Sequence, residues 1–343
     1  MRAIAKTALS LSLLSSLWLG NVRVVEAGRA VVPTGLTNLY VNALVMDSLG
    51  NLYAGTSGGV FKTTPPSANM PVVWSNTGLK DFSKSDSNVK ALAIAKDSSG
   101  FLYAGTWGGG VWRTATINSG VSWSPINDGL DGINRNITSL AADSSGVAYA
   151  GTAGGGVFRF AFGKWAEFKT GLTNPFVTTL AKDSSGNLYA GTYGGGIFKT
   201  AIVTAAGATA ASANWVPLNN GLTNPLISTF AIDSSGNYYY AGTVAGGVFK
   251  VTSWSVGWGA FNNGLTNVSI KALAIDSSGN VYAGAEGGVF KTPGWSGNWS
   301  AFHPDLPNPD VTALLIDSSG NLYAGTSGGG VYKIQLTSWS ALN

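Results

Sequence analysis

Few residues in this chain can do chemistry. Cysteine is absent, which removes disulfides, thiolate metal sites and a cysteine nucleophile. His303 is the single histidine, so neither a histidine-dependent triad nor a multi-histidine metal site can be assembled. Outside a recurring motif, the acids beyond residue 27 are Asp81, Asp86, Asp128, Asp131, Glu167, Glu286, Asp305 and Asp310. Two carboxylates flanking a cleft can hydrolyse a glycosidic bond, and Glu286 with Asp310 is the pair that the repeat places on one face. Trp107 and Tyr193 are aromatic side chains able to stack on a sugar or clamp a peptide. Lys90 and Lys271 add positive charge nearby.

A repeat must position these residues. Asp-Ser-(Ser/Leu)-Gly recurs at Asp47, Asp97, Asp143, Asp183, Asp233, Asp276 and Asp317. Each copy has four strand-like segments: Val-x-x-Leu-Ala-x, Asn-Leu-Tyr-Ala-Gly-Thr, Gly-Val-Phe-Lys-Thr, and a fourth starting at a tryptophan. Four short strands every 40–50 residues predict an all-β, seven-bladed propeller of four-stranded antiparallel blades. The strands are apolar on both faces, as expected of a sheet sandwiched between neighbours. The seven tryptophans Trp74, Trp123, Trp165, Trp215, Trp258, Trp299 and Trp339 are expected between blades. The chain stops at Trp339-Ser-Ala-Leu-Asn343, and Gly35-Leu36 near its start supplies the missing phrase. The N- and C-terminal segments are therefore expected to meet in blade 7 and close the ring, removing open edges. Blade 2 is expected to hold two extra residues between Leu92 and Asp97, and Tyr238-Tyr239-Tyr240 predicts a β-bulge in blade 5.

The repeat also decides which residues are structural. An Asp followed by Ser and Gly is turn chemistry, and one acid per copy cannot cage calcium. The glycine runs lack the Lys-Ser/Thr of a phosphate loop and are hairpin turns. His303 stands where other blades have Asn127, Lys169, Asn219 and Asn262, read as a solvated strand end. The informative position is the variable one in Gly-Thr-x-Gly-Gly: Ser57, Trp107, Ala153, Tyr193, Val244, Glu286 and Ser327. Invariant repeat residues hold the fold, so this varied rim can write distinct contacts.

Only 10% of residues are charged against 45% hydrophobic, a surface composition that fits an exported protein. Arg2 and Lys6, an apolar run from Thr7 to Gly20, and Val25-Glu26-Ala27 predict a signal peptide over residues 1–27. The domain reading is thus 1–27 signal peptide and 28–343 propeller. Residues 1–27 hold two of the four net positive charges, leaving +2 for the remainder. So small an excess offers no stripe for nucleic acid. No second apolar stretch follows, so no membrane span is expected in the mature chain.

The phrase x-Ala-Leu-x-x-Asp-Ser-Ser-Gly-Asn-Leu-Tyr-Ala-Gly-Thr-x-Gly-Gly-Val-Phe-Lys resembles bacterial propeller repeats of the two-component-regulator type, which occur in ligand-binding sensor regions. It also looks like the repeats of sialidase-like (BNR) and xyloglucanase-type propellers. The resemblance spans residues 35–343 and implies a ligand-binding sensor-type propeller. The Asp-box of the BNR type is mostly absent, Asn118-Ser-Gly-Val-Ser-Trp123 being the nearest relic. Fold of this kind does not fix function. The expectation is an exported, monomeric, non-catalytic recognition module in the periplasm or outside the cell. It binds a protein or glycan through Trp107, Tyr193, Glu286, Lys90 and Lys271, with no cofactor and no metal. The alternatives are a glycoside hydrolase or lyase using Glu286 and Asp310, and a structural cell-surface or adhesin component.

Overall fold

The computed structural model describes residues 22–23, 32–33, 35–47, 49–63, 73–79, 91–96, 101–114, 122–142, 147–201, 214–252, 254–302, 304–335 and 338–341. Seven four-stranded antiparallel sheets follow one another along the chain, each strand pairing with the next in sequence. Blade 4 is representative: inner strand Val177–Lys182, second Asn187–Thr192, third Gly196–Ala201, outer Val216–Pro217.

Local chemistry explains the first turn of the blades in which that turn is described. Asp317 Oδ1 accepts the backbone N–H groups of Ser319 and Asn321 at 2.9 and 2.8 Å, and Oδ2 accepts Asn321 Nδ2 and the Tyr323 hydroxyl at 2.7 and 3.1 Å. Asp47 and Asp276 repeat the whole pattern. The carboxylate serves as the missing backbone acceptor of a tight turn. Opposite each such tyrosine on the third strand stands a basic residue: Lys199 lies 5.5 Å from the centre of the Tyr189 ring and Lys291 lies 5.1 Å from that of Tyr282.

The core lies between blades rather than within them. Tyr149 and Val157 of blade 3 cluster with Val177, Leu188, Phe198 and Trp215 of blade 4, and Tyr189 and Ile197 of blade 4 with Ile227, Phe249 and Trp258 of blade 5. Both faces of each second strand are buried, as Leu188 to Thr192 show, which is why these strands read as unbroken apolar runs. The tryptophans sit between blades where described: half-buried Trp123 donates its Nε1 hydrogen to Thr77 Oγ1 of blade 1 at 2.9 Å, and Trp165, Trp215, Trp258 and Trp299 are buried. Their indole N–H groups donate to Ile126, Phe168, Leu218 and Phe261 carbonyls of the preceding blade at 2.6–2.8 Å. A glycine crosses the backbone of Trp74, Trp165, Trp215, Trp258 and Trp299: a Cβ on Gly171 (φ +85°) would stand 2.4 Å from the Trp215 carbonyl oxygen.

Ring closure follows the repeat phase. Gly35 crosses Trp74 as Gly171 crosses Trp215, and Leu36, Val41 and Trp74 pack against Tyr323 and Val331 of blade 7. Gly328 and Gly330 donate to the Leu39 carbonyl, both at 3.0 Å, and the Thr312 hydroxyl donates to the Val41 carbonyl. Blade 7 takes all four strands from Val311 to Ala341, while Val32–Pro33 pairs with Val22–Arg23 outside it. The N-terminal segment therefore closes the ring through side chains and single backbone bonds, with no strand added.

Two expected irregularities are corrected. Ala91 pairs with Thr106 and Ile94 with Ala104, matching Val177–Thr192 and Leu180–Ala190 of blade 4. Blade 2 has no two-residue insertion after Leu92; the extra length precedes Ala91. A shift of two residues preserves which side chains face each way, so Val89-Lys90-Ala91-Leu92 and Ala91-Leu92-Ala93-Ile94 fit the repeat equally well in sequence. In blade 5 the additional tyrosine enters the turn, not the strand. Tyr238 N–H donates to Asp233 Oδ1 at 2.7 Å, the role that Asn187 plays for Asp183, and Tyr239 then pairs with Ile232 in ordinary register. The bulge of this fold is instead common to all seven blades, between the first and third residues of each inner strand, as at Val177/Thr179.

Candidate ligand-binding face

In a four-stranded meander the second-to-third turns share one end of the blade with the connections that approach the next inner strand. The structure ties these two sets together. Tyr193 pairs with Leu226, Ala153 with Phe176, Glu286 with Asp310 and Ser327 with Tyr40, in each case the turn of one blade with the residue before the next blade's inner strand. The turn itself is built from buried threonine and close-packed glycine. Thr192 Oγ1 donates to the Gly196 carbonyl at 2.9 Å. A Cβ on Gly195 would stand 2.5 Å from Asn174 Cβ.

Two asparagine ladders hold this face. Asn174 Oδ1 accepts Phe176 N–H at 2.9 Å and its Nδ2 donates to the Tyr193 carbonyl at 3.3 Å; Asn308 does the same for Asp310 and Ser327. Asn127, Asn219 and Asn262 accept the N–H groups of Val111, Ile197 and Val248 on the third strands and donate to a turn glycine carbonyl, at 2.7–2.9 Å. That second position is thus a turn brace, which corrects its reading as a solvated strand end; His303 itself lies outside the described residues. The recurring Leu-Thr-Asn and Asn-Gly-Leu phrases carried this signal in the sequence.

Trp107 and Tyr193 are 48% and 53% exposed at their turns. The structure adds Tyr40, Ile133 and Phe176, exposed at 56%, 55% and 50%, which lie on the approaches to inner strands. A Cβ on Gly154 would be 2.9 Å from Ile133 and 3.6 Å from Phe176, and Tyr193 N–H donates to the Phe176 carbonyl at 2.9 Å. Ile133 and Phe176 thus join Trp107 and Tyr193 in an apolar arc over blades 2 to 4, while Tyr40 stands at the seam between blades 7 and 1 and Val268, also exposed, precedes the inner strand of blade 6. The residue before each inner strand varies between repeats as freely as the turn residue does, and that variation was the available sign.

Across the ring, Lys271 is the second residue of inner strand Ile270–Ile275. Its ammonium donates to Glu286 Oε1 at 3.0 Å and Asp310 Oδ1 at 2.5 Å. Burial alone would lower the Lys271 pKa, but the hydrogen bonds and charges of Asp310 and Glu286 outweigh it and hold the pKa above its ordinary value. In blades 3, 4, 5 and 7 the matching position is a hydroxyl donating to the next blade's inner-strand carbonyl, as Thr178 does to Ile227 at 2.8 Å. Lys271 replaces that backbone bond with a charged bridge. The structure thus brings Lys271, Glu286 and Asp310 together and places Trp107 and Tyr193 on the opposing arc. Lys90 lies outside the described residues.

Among the described residues no three of His, Cys, Asp and Glu converge as metal ligands, and no helix is long and apolar enough to cross a membrane.

The fold and this face define a β-propeller of the repeat class. Residues 171–194 and 305–328 match the model of the two-component regulator propeller, and the Asp-Ser-x-Gly phrase of these two segments recurs in all seven repeats of the propeller. No curated protein matches the sequence. Among solved structures it is similar to the WD40 propeller domain of Doa1, at 13% identity and TM-score 0.61 over 87% of this chain and 93% of that one. It is similar to PorZ, an essential bacterial surface component of the type-IX secretion system of Porphyromonas gingivalis, at 15% identity and TM-score 0.67, covering 92% of this chain and 49% of that one. It is also similar to the extracellular domain assigned to the one-component system BT4673 of B. thetaiotaomicron, at 16% identity and TM-score 0.57, covering 91% and 49%. The chain spans about half the length of the latter two.

Proposed function

We propose that this chain is an exported, non-catalytic recognition module, directed out of the cytoplasm by residues 1–27, whose propeller binds a protein or glycan ligand on the face carrying Trp107, Tyr193, Glu286 and Lys271. The observation that carries the reading is the make-up of that face. Exposed aromatic and apolar side chains run over blades 2 to 4, and Tyr40 and Val268 continue them on either side of a lysine that bridges two carboxylates on blades 6 and 7. Exposed aromatics on a rigid frame supply contact area at low entropic cost, and the charged bridge adds orientation. The similarity to an extracellular domain and to a secretion-system surface component supports an exported binding role.

The bridge also favours binding over hydrolysis by Glu286 and Asp310. A glycosidase pair needs one carboxyl able to give up a proton and open space between the two. Here an ammonium group bridges them and donates a hydrogen bond to each.

A glycan and protein array probed with the purified chain identifies the ligand, followed by Trp107→Ala with Tyr193→Ala. The expected result is loss of binding with unchanged melting. Unaltered affinity in the double variant rejects this site. Glu286→Gln then separates the readings: turnover of any polysaccharide that Glu286→Gln abolishes would establish the hydrolase instead.

A further inference from the structure

The opposite end of the ring carries the first-to-second turns and the third-to-outer hairpins. In sequence, all seven third-to-outer connections are free of charge, from Thr64–Val73 in blade 1 to Leu336-Thr337 in blade 7. The described ones end in apolar side chains standing in solvent: Phe162 and Trp295 are both 84% exposed and Val256 is 77% exposed. Isolated exposed apolar residues are ordinary. One at each of three such hairpins, in blades 3, 5 and 6, is not.

Phe162 carries a second signal. Its φ is +53°, and it is the only non-glycine residue with positive φ among the described residues. Glycine or asparagine takes that hairpin position without strain. A large exposed aromatic ring there burdens the fold and packs on nothing, which points to a use outside the chain.

Charge completes the pattern. Each repeat sets one Lys or Arg on the third strand, close behind the hairpin, against one Asp in the first turn. Lys96, Lys164 and Lys182 are then left in excess at this end. At the ligand-binding end the described connections hold Asp128, Asp131, Glu286, Asp305 and Asp310 against Arg135, Lys169 and Lys271. Among the described residues the charge is polarised along the axis, with the positive end at the apolar tips.

We propose that this end docks on an anionic lipid bilayer, with the Phe162, Val256 and Trp295 hairpins seated at the headgroup level and the basic residues behind them facing lipid phosphates. Equivalent hairpins of equivalent blades stand on a circle around the ring axis, and a circle of tips meets a flat surface all at once. Aromatic tips backed by cations are the composition that binds membrane interfaces. The ligand-binding face then points away from the bilayer. This surface is independent of the ligand reading above.

Flotation of the full chain with phosphatidylcholine vesicles, with and without phosphatidylglycerol, tests it. The chain is expected to float with the anionic vesicles, less so as salt rises, and brominated lipid is expected to quench Trp295. The variant Phe162→Asn, Val256→Asn and Trp295→Ser should lose at least about tenfold in partition. Asparagine accepts the Phe162 backbone geometry, and circular dichroism checks that the variant is folded. Trp107→Ala with Tyr193→Ala should leave partition unchanged. No flotation of the parent chain, or undiminished flotation of the triple variant, overturns the proposal; the latter result would place membrane affinity in the apolar run from Thr7 to Gly20.

Discussion

Trp215→Phe and Trp74→Phe make a matched pair that weighs one inter-blade bond. Both tryptophans are buried, at 2% and 3% exposure, and both are crossed by a glycine of the neighbouring repeat. They differ at one atom. Trp215 Nε1 donates to the Phe168 carbonyl at 2.8 Å, whereas Trp74 Nε1 is buried with no acceptor among the described residues at the seam between blades 7 and 1. Replacing either indole by phenyl forfeits packing of about 1–2 kcal/mol. At Trp215 the change also removes a hydrogen bond, a further loss of about 1 kcal/mol, and strands the carbonyl. At Trp74 it removes an unsatisfied donor whose burial costs about 1–3 kcal/mol, so packing loss and relief nearly cancel. Trp215→Phe should therefore destabilise by about 2–4 kcal/mol and Trp74→Phe by about 1 kcal/mol or less. Urea unfolding at 25 °C, followed by far-ultraviolet circular dichroism, measures the difference, and unchanged m-values in both variants license the comparison. Equal losses at the two sites would show that the indole–carbonyl bond contributes nothing and would falsify this account of how blades are locked together.

The remaining predictions concern charge and backbone. Burial would raise the Asp183, Asp276 and Asp317 pKa values, but hydrogen bonds from Asn187, Asn280 and Asn321 and from the paired tyrosines bring all three below the ordinary range. A depressed folded pKa gives stability that is present above the unfolded value, near 4, and is lost as pH falls through the folded one; urea midpoints measured from neutral to strongly acid pH should fall most steeply below about pH 4, and Asp317→Asn should flatten that fall. Lys271→Met leaves Glu286 and Asp310 facing each other without their cation; because Glu286 is 67% exposed, the loss should be only about 1 kcal/mol, larger at low salt, and recovered in part by adding Glu286→Gln. Gly171→Ala combines a left-handed φ with a Cβ pressed on the Trp215 carbonyl and should cost at least about 3 kcal/mol, against under about 1 kcal/mol for the same change at Gly259, where a Cβ meets nothing.

The sequence by itself determined the blade count, the four strands of each blade, the role of the Asp turns and the burial of the tryptophans. These follow from local chemistry written seven times, and repetition averages away the ambiguity of any one short strand. It also placed Glu286 beside Asp310, because pairing between successive blades is fixed once the ring is assumed. Only the tertiary structure decided that Lys271 reaches both carboxylates, since its side chain leaves the position where other blades use a hydroxyl. Tertiary packing likewise settled the blade 2 register, which a two-residue shift leaves indistinguishable along the chain. It brought Tyr40, Ile133 and Phe176 onto the same face as Trp107 and Tyr193. Their proximity depends on neighbouring blades bonding to each other across long sequence separations, and a residue's own neighbours in the chain carry no record of those bonds.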